Sequence, residues 1–182
     1  MDKPILPHQI RKIYEGRVFS VVAERVTLPK GHLIELEVVR HPGSVVIVPV
    51  ADDGRVLLVR QYRHAVGRAM WELPAGSLKP NEDPERAAVR ECHEEVGLVP
   101  DRVERLGSFF PTPGYCDEEM IFYRATRLRE PRAGEVARPD EDEDIEVKPF
   151  APDELERMIA GGEIADLKTI GGLALIARER RP

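Results

Sequence analysis

Apolar residues alternate in twos through the first third of the chain and take helical spacing only later. Residues 17–28 alternate and are rich in valine, Pro29-Lys30-Gly31-His32 interrupts them, and residues 33–40 resume the pattern. This predicts a two-stranded hairpin, with the polar residues 1–15 as a surface lead-in. A lone hairpin is only marginally stable, so it must pack on its own domain or on a second subunit. His41-Pro42-Gly43 then breaks the chain. Residues 44–50 are almost continuously apolar, as in a strand buried on both faces. Asp52-Asp53-Gly54 reads as a hairpin turn into the strand 55–62. Further strands are predicted at 69–73, 102–110, 120–127 and 145–150, and helices at 152–160 and 166–178. Strands around an internal helix, with helices at the end, predict an α/β fold with a mixed sheet covered on both faces.

The internal helix is the chemically loaded one. Asp83 fits its N-cap, Pro84 its first position and Gly97 a left-handed end. Glu91, Glu94 and Glu95 stand at i, i+3 and i+4, within an arc of about 100°. Val89, Cys92 and Val96 fall on another side and predict the buried stripe, and Ala87 and Ala88 leave room for a second backbone. Three like charges on one face repel. On an arbitrary helix such an arc is more often a solvated face; the alternative is a hard divalent cation with oxygen ligands.

Composition narrows the classes. The 182 residues are 42% hydrophobic and carry a net charge of −6, which suits one domain with a sizeable core. With no basic block, a nucleic acid is not an expected partner, and no apolar run is long enough to span a membrane. The two cysteines, Cys92 and Cys116, make neither a disulfide framework nor a zinc site, and a cytoplasmic protein is expected.

Residues 76–98 resemble the signature of the Nudix hydrolases. Gly76, Glu82, Arg90, Glu91, Glu94, Glu95, Gly97 and Leu98 all match, and only Cys92 departs, where an aliphatic is usual. At about 7% usage per residue type, chance agreement at seven such positions is on the order of one in 10⁸. The resemblance implies an α/β/α sandwich (residues 43–182) preceded by an N-terminal β-hairpin dimerisation segment (1–42). It implies Mg²⁺ or Mn²⁺, two or more ions, on Glu91 and Glu95, with Glu94 close by and the Ala75 carbonyl as a further ligand. Arg90 would hold the glutamates in place and Glu82 would order the turn into the helix.

Beyond this box, Gly16-Arg17-Val18-Phe19, His41-Pro42-Gly43, Arg60-Gln61-Tyr62-Arg63, Trp71-Glu72-Leu73-Pro74-Ala75-Gly76 and Thr112-Pro113-Gly114 resemble the ADP-ribose pyrophosphatase subgroup, as does an acidic loop with Glu141, Glu143, Asp144 and Ile145. In that likeness Glu141 is the general base and Glu143 a metal or water contact, with Glu94 a rival base. Arg63 contacts the diphosphate, and Glu72 the substrate or an outer metal. Arg17, Val18 and Phe19 lie near the adenine, Thr112 belongs to the loop that selects the substrate, and Glu118, of the same subunit or the other, approaches the terminal ribose. A homodimer with a shared active site is implied. The expected reaction is hydrolysis of ADP-ribose to AMP and ribose 5-phosphate. Alternatives are FAD, NADH, a sugar nucleotide or a dinucleoside polyphosphate as substrate, or a Nudix domain that senses ADP-ribose or NAD without cleaving it.

Overall fold

The structure, a computed structural model, describes residues 4–135 and 145–179. Its first sheet is antiparallel and three-stranded, in the order β1 (Gln9–Glu15), β2 (Ser20–Thr27), β3 (Leu33–Arg40). β2 and β3 are the expected hairpin, paired from Ser20 opposite Arg40 to Thr27 opposite Leu33. The lead-in reading of residues 1–15 is corrected: β1 extends the hairpin by a strand. All its side chains are exposed, so no alternation of burial marks it, and a bulge between Lys12 and Tyr14 shifts its register. Ile10, Ile13, Tyr14, Leu33 and Leu36 of this sheet are exposed apolar residues.

The rest of the chain runs through β4 (Ser44–Pro49), β5 (Val56–Arg63), β6 (Arg68–Glu72), β7 (Ala75–Ser77), α1 (Pro84–Glu91), β8 (Val99–Phe109), β9 (Met120–Arg129), β10 (Glu146–Phe150), α2 (Pro152–Ala160) and α3 (Leu167–Glu179). One sheet is β10-β5-β6; the other is mixed, β7-β4-β9-β8, with β4 and β9 parallel. Residues 52–54 do turn the chain, but β4 and β5 share only the bridge Val50–Val56 and then enter different sheets. The turn therefore joins two layers and is not the tip of a paired hairpin.

Alternation along the buried strands makes the sandwich. Val45 and Ile47 of β4, with Leu57 and Val59 of β5, face a cluster with Ala87, Ala88, Cys92 and Val96 of the internal helix. Val46, Val48, Val56 and Leu58 point the other way, to Leu155, Met158, Leu173 and Ile176 of α2 and α3. Each side chain so buried contributes about 1.5–3 kcal/mol relative to exposure. The expected α/β/α arrangement is thus present, with α1 on one face and α2 and α3 on the other. Trp71 packs edge-on against Phe150 at 4.9 Å, partly buried against the core. Among the described residues no helix is long and apolar enough to cross a membrane.

Candidate functional site

α1 starts as its residues dictate. Asp83 is extended, its carboxylate accepts the Arg86 N–H at 3.0 Å, and Pro84 opens the helix. After Glu91 the helix widens into a π turn over Cys92–Val96, which Gly97 ends with φ +78°. π turns recur at functional sites. The buried stripe differs from expectation. Val89 is only partly buried, whereas Ala87, Ala88, Glu91, Cys92, Glu95 and Val96 are buried. Two glutamates on the inward side therefore replace the purely apolar face. Cys92 lies beneath them, and burial, then the neighbouring Glu95 charge, pushes its thiol up to about 12.

Arg90 organises the acids. Its Nε and Nη2 donate to Glu82 Oε1 and Oε2 at 2.7 and 2.9 Å, and Nη1 donates to Glu91 Oε1 and Glu94 Oε2 at 2.6 Å each. Glu82 Oε2 also accepts the Lys79 N–H at 3.0 Å, tying the loop to the helix. The Arg90 guanidinium, foremost, lowers the Glu82 pKa, and Glu82 in turn raises that of Arg90.

Residues 75 and 76 join this cluster to a cavity. A Cβ on Gly76 would stand 2.0 Å from Glu91 Oε1, so only glycine leaves that carboxylate its place. Ala75 N–H donates to Glu95 Oε2 at 3.3 Å. In extended backbone a residue's N–H and C=O point to the same side, so the Ala75 carbonyl faces the Glu95 side. The cavity, about 570 Å³, is lined by Arg63, Glu72, Ala75, Gly76 and Glu118, together with Ser44, Met70, Asp166 and Lys168. A smaller apolar cleft of about 240 Å³ adjoins it and shares Met120, Leu167 and Lys168, but no acidic residue lines it.

Glu72 is 2% exposed and is met on two sides. Arg63 binds it in a fork, Nε to Oε1 at 3.0 Å and Nη2 to Oε2 at 2.8 Å, and Lys168 Nζ donates to Oε2. Burial pushes the Glu72 carboxyl up, but Arg63 and Lys168 outweigh it and the net pKa is lowered. Lys168 also donates to Asp166 at 2.9 Å. Asp166 accepts the Thr169 N–H at 3.0 Å, and the Thr169 hydroxyl accepts the Leu73 N–H at 2.8 Å. α3 thereby holds the strand end that leads to Ala75.

Arg63, Glu72, Ala75 and Glu118 are thus brought to one cavity; Glu91 and Glu95 do not line it but contact its lining residues Gly76 and Ala75. Arg17, Val18 and Phe19 do not line it. All three are exposed, and Phe19 packs on Tyr14 at 5.9 Å. Thr112 does not line it either; its carbonyl accepts the N–H groups of Tyr115 and Cys116. Glu141 and Glu143 lie outside the described residues. Ser44, Asp166, Lys168 and Thr169 were missed by the sequence reading. The one local signal was Asp166 at the start of a helical pattern, which is a capping position.

Residues 40–170, most of the chain, match the NUDIX domain family. The chain belongs to the Nudix family. Its sequence is similar to an ADP-ribose pyrophosphatase of Mycobacterium tuberculosis (37% identical; 90% of this chain, 79% of that one) and to one of Bacillus subtilis (34%; 87% and 84%). It is also similar to a methanol dehydrogenase activator of Bacillus methanolicus (35%; 87% and 85%). In fold it is similar to a solved ADP compounds hydrolase, with a TM-score of 0.82 at 20% identity over 97% of this chain and 94% of that one.

Nudix enzymes in general use divalent metal ions. Among the described residues no group of three or more His, Cys, Asp or Glu side chains converges to hold a metal by itself. The donor chemistry nevertheless fits: two buried carboxylates, Glu91 and Glu95, beside a backbone carbonyl are hard oxygen donors of the kind Mg²⁺ takes with several waters.

Proposed function

We propose that this Nudix hydrolase cleaves the diphosphate bond of ADP-ribose, giving AMP and ribose 5-phosphate, with Mg²⁺ or Mn²⁺ held by Glu91, Glu95 and the Ala75 carbonyl. The observation that carries the reading is the cavity lined by the cations Arg63 and Lys168 and by Ala75 and Gly76, the two residues that Glu95 and Glu91 touch. A diphosphate needs both: cations for its oxygens and a metal site beside its phosphorus. Two relatives named for ADP-ribose support the choice of substrate. The bound ions would neutralise diphosphate oxygens and lower the pKa of an attacking water. Glu72 takes the Nε and Nη2 edge of Arg63 and orients the guanidinium, so Nη1 is the donor that would meet phosphate oxygens. Glu118 offers acceptor oxygens to a sugar hydroxyl. Arg90 fixes Glu91 and Glu94 at one end of the helix. Proton removal from water falls to Glu141 or to Glu94, the latter already drawn to Arg90 at 2.6 Å.

A second subunit completes the site in this reading. Arg17, Val18 and Phe19 are exposed in the turn between β1 and β2 and do not line their own chain's cavity, so they would serve the partner's substrate. Residues 1–42 are then the dimerisation segment of a hydrolase formed by 43–182, and exposed Ile10, Ile13, Leu33 and Leu36 supply apolar surface for it. Sedimentation at micromolar concentration should give a dimer; a monomer would contradict the shared site.

Substrate choice is tested by incubating the protein with Mg²⁺ and, separately, ADP-ribose, FAD, NADH, GDP-mannose and dGTP. ADP-ribose is expected to be turned over fastest. The relative named as a methanol dehydrogenase activator makes the other diphosphates necessary members of the panel. Binding of ADP-ribose with no turnover of any compound would replace the enzyme reading by a sensor.

A further inference from the structure

One guanidinium ties the N-terminal sheet to the loop that carries Glu118. Arg40, the last residue of β3, donates from Nη1 to Asp117 Oδ2 at 2.8 Å and from Nη2 to Glu24 Oε1. Glu24 on β2 is buried, and a buried charge must be met by a partner, which Arg40 supplies. Asp117 Oδ1 accepts the His41 N–H at 2.8 Å. The backbone repeats the link: Val39 N–H donates to the Tyr115 carbonyl at 2.8 Å, and Asp117 N–H donates to the Val39 carbonyl at 3.1 Å. Pro113, Gly114 and Tyr115 of the same loop are exposed. Glu118, the residue after Asp117, accepts the Ser44 hydroxyl at 2.8 Å and lines the cavity.

We propose that Arg40 and Asp117 are positioning residues: their ion pair fixes Glu118 at the cavity wall, so that the N-terminal sheet sets how tightly the sugar end of a nucleoside diphosphate substrate is held. This rests on the reading of the cavity as a diphosphatase site. Without the ion pair the loop is held by its backbone bonds and the Ser44 hydroxyl, so part of its ordering is deferred to the moment of binding and weakens it. The glutamates of the helix are untouched, so the chemical step keeps its rate and the loss appears in KM.

The test is Mg²⁺-dependent hydrolysis of ADP-ribose by Asp117→Asn and Arg40→Met, each alone and combined with Glu118→Gln. Asp117→Asn keeps the side chain's shape and its acceptor for His41, so it carries the test if Arg40→Met, which uncovers Glu24, fails to fold. Each single change should raise KM about tenfold, with kcat within about threefold of wild type. In the Glu118→Gln background the same changes should add less than about twofold, because residues that act through one another are not additive. An unchanged KM in Asp117→Asn, or effects that multiply with Glu118→Gln, overturns the positioning role alone. A wild-type protein that neither hydrolyses ADP-ribose nor binds it by calorimetry overturns the substrate reading and this role with it.

Discussion

Glu95→Gln should lower kcat for ADP-ribose by on the order of 10³-fold or more while the fold survives. Glu95 is 4% exposed and receives the Ala75 N–H at 3.3 Å. An amide has the same shape and retains an oxygen for that bond, so packing and the backbone contact are preserved. What changes is the charge. A divalent ion contributes several kcal/mol of transition-state stabilisation, and each 1.36 kcal/mol is a factor of ten in rate, so a lost ligand charge is worth three decades or more. Were Glu95 only a backbone anchor, glutamine would keep that bond, weakened at most by the lost charge, about 1 kcal/mol, and turnover would fall less than tenfold. AMP release measured at saturating substrate separates the two. A thermal midpoint close to wild type would show that the fold is intact, and near-normal turnover would refute the role of Glu95 as a metal ligand.

The parts of this fold that were legible in the residues are those set by neighbours in the chain. Asp83, Pro84 and Gly97 fix the ends of the internal helix through their own backbone geometry, and both ends form as expected. Strands with buried faces were legible for the same reason: β4 must satisfy two apolar layers and, after Ser44, reads as an apolar run. β1 has no buried face, so hydrophobic patterning carried no trace of it. The cavity's far wall was hidden by distance. Lys168 meets Glu72 across 96 positions, and nothing local to residues 166–169 says which strand α3 will cover. The pairing of Arg63 with Glu72 depends on the β5–β6 register, which sets Val59 opposite Glu72. Val89 is only partly buried because the inward stripe of this helix is not built from apolar residues alone. The helix turns two of its glutamates inward, as chemistry needs and a soluble surface does not.

Arg90→Met should destabilise the protein by about 2–3 kcal/mol in metal-free buffer, below the cost of stripping one partner from a fully buried pair because this network is only partly buried. The guanidinium is bonded to three carboxylates at once, Glu82, Glu91 and Glu94, all at 2.9 Å or less. Methionine keeps most of the stem but leaves three negative groups facing each other with their counter-charge gone. Calorimetric or fluorescence melting with and without Mg²⁺ distinguishes the roles of this residue. In wild type a cation must compete with Arg90 for Glu91 and Glu94. In the variant it meets uncompensated carboxylates, binds the folded state more tightly, and so restores stability by mass action. The melting temperature of Arg90→Met should therefore rise more on adding Mg²⁺ than that of wild type. If Arg90 instead grips the substrate, the variant should melt like wild type in both buffers and lose only affinity for ADP-ribose.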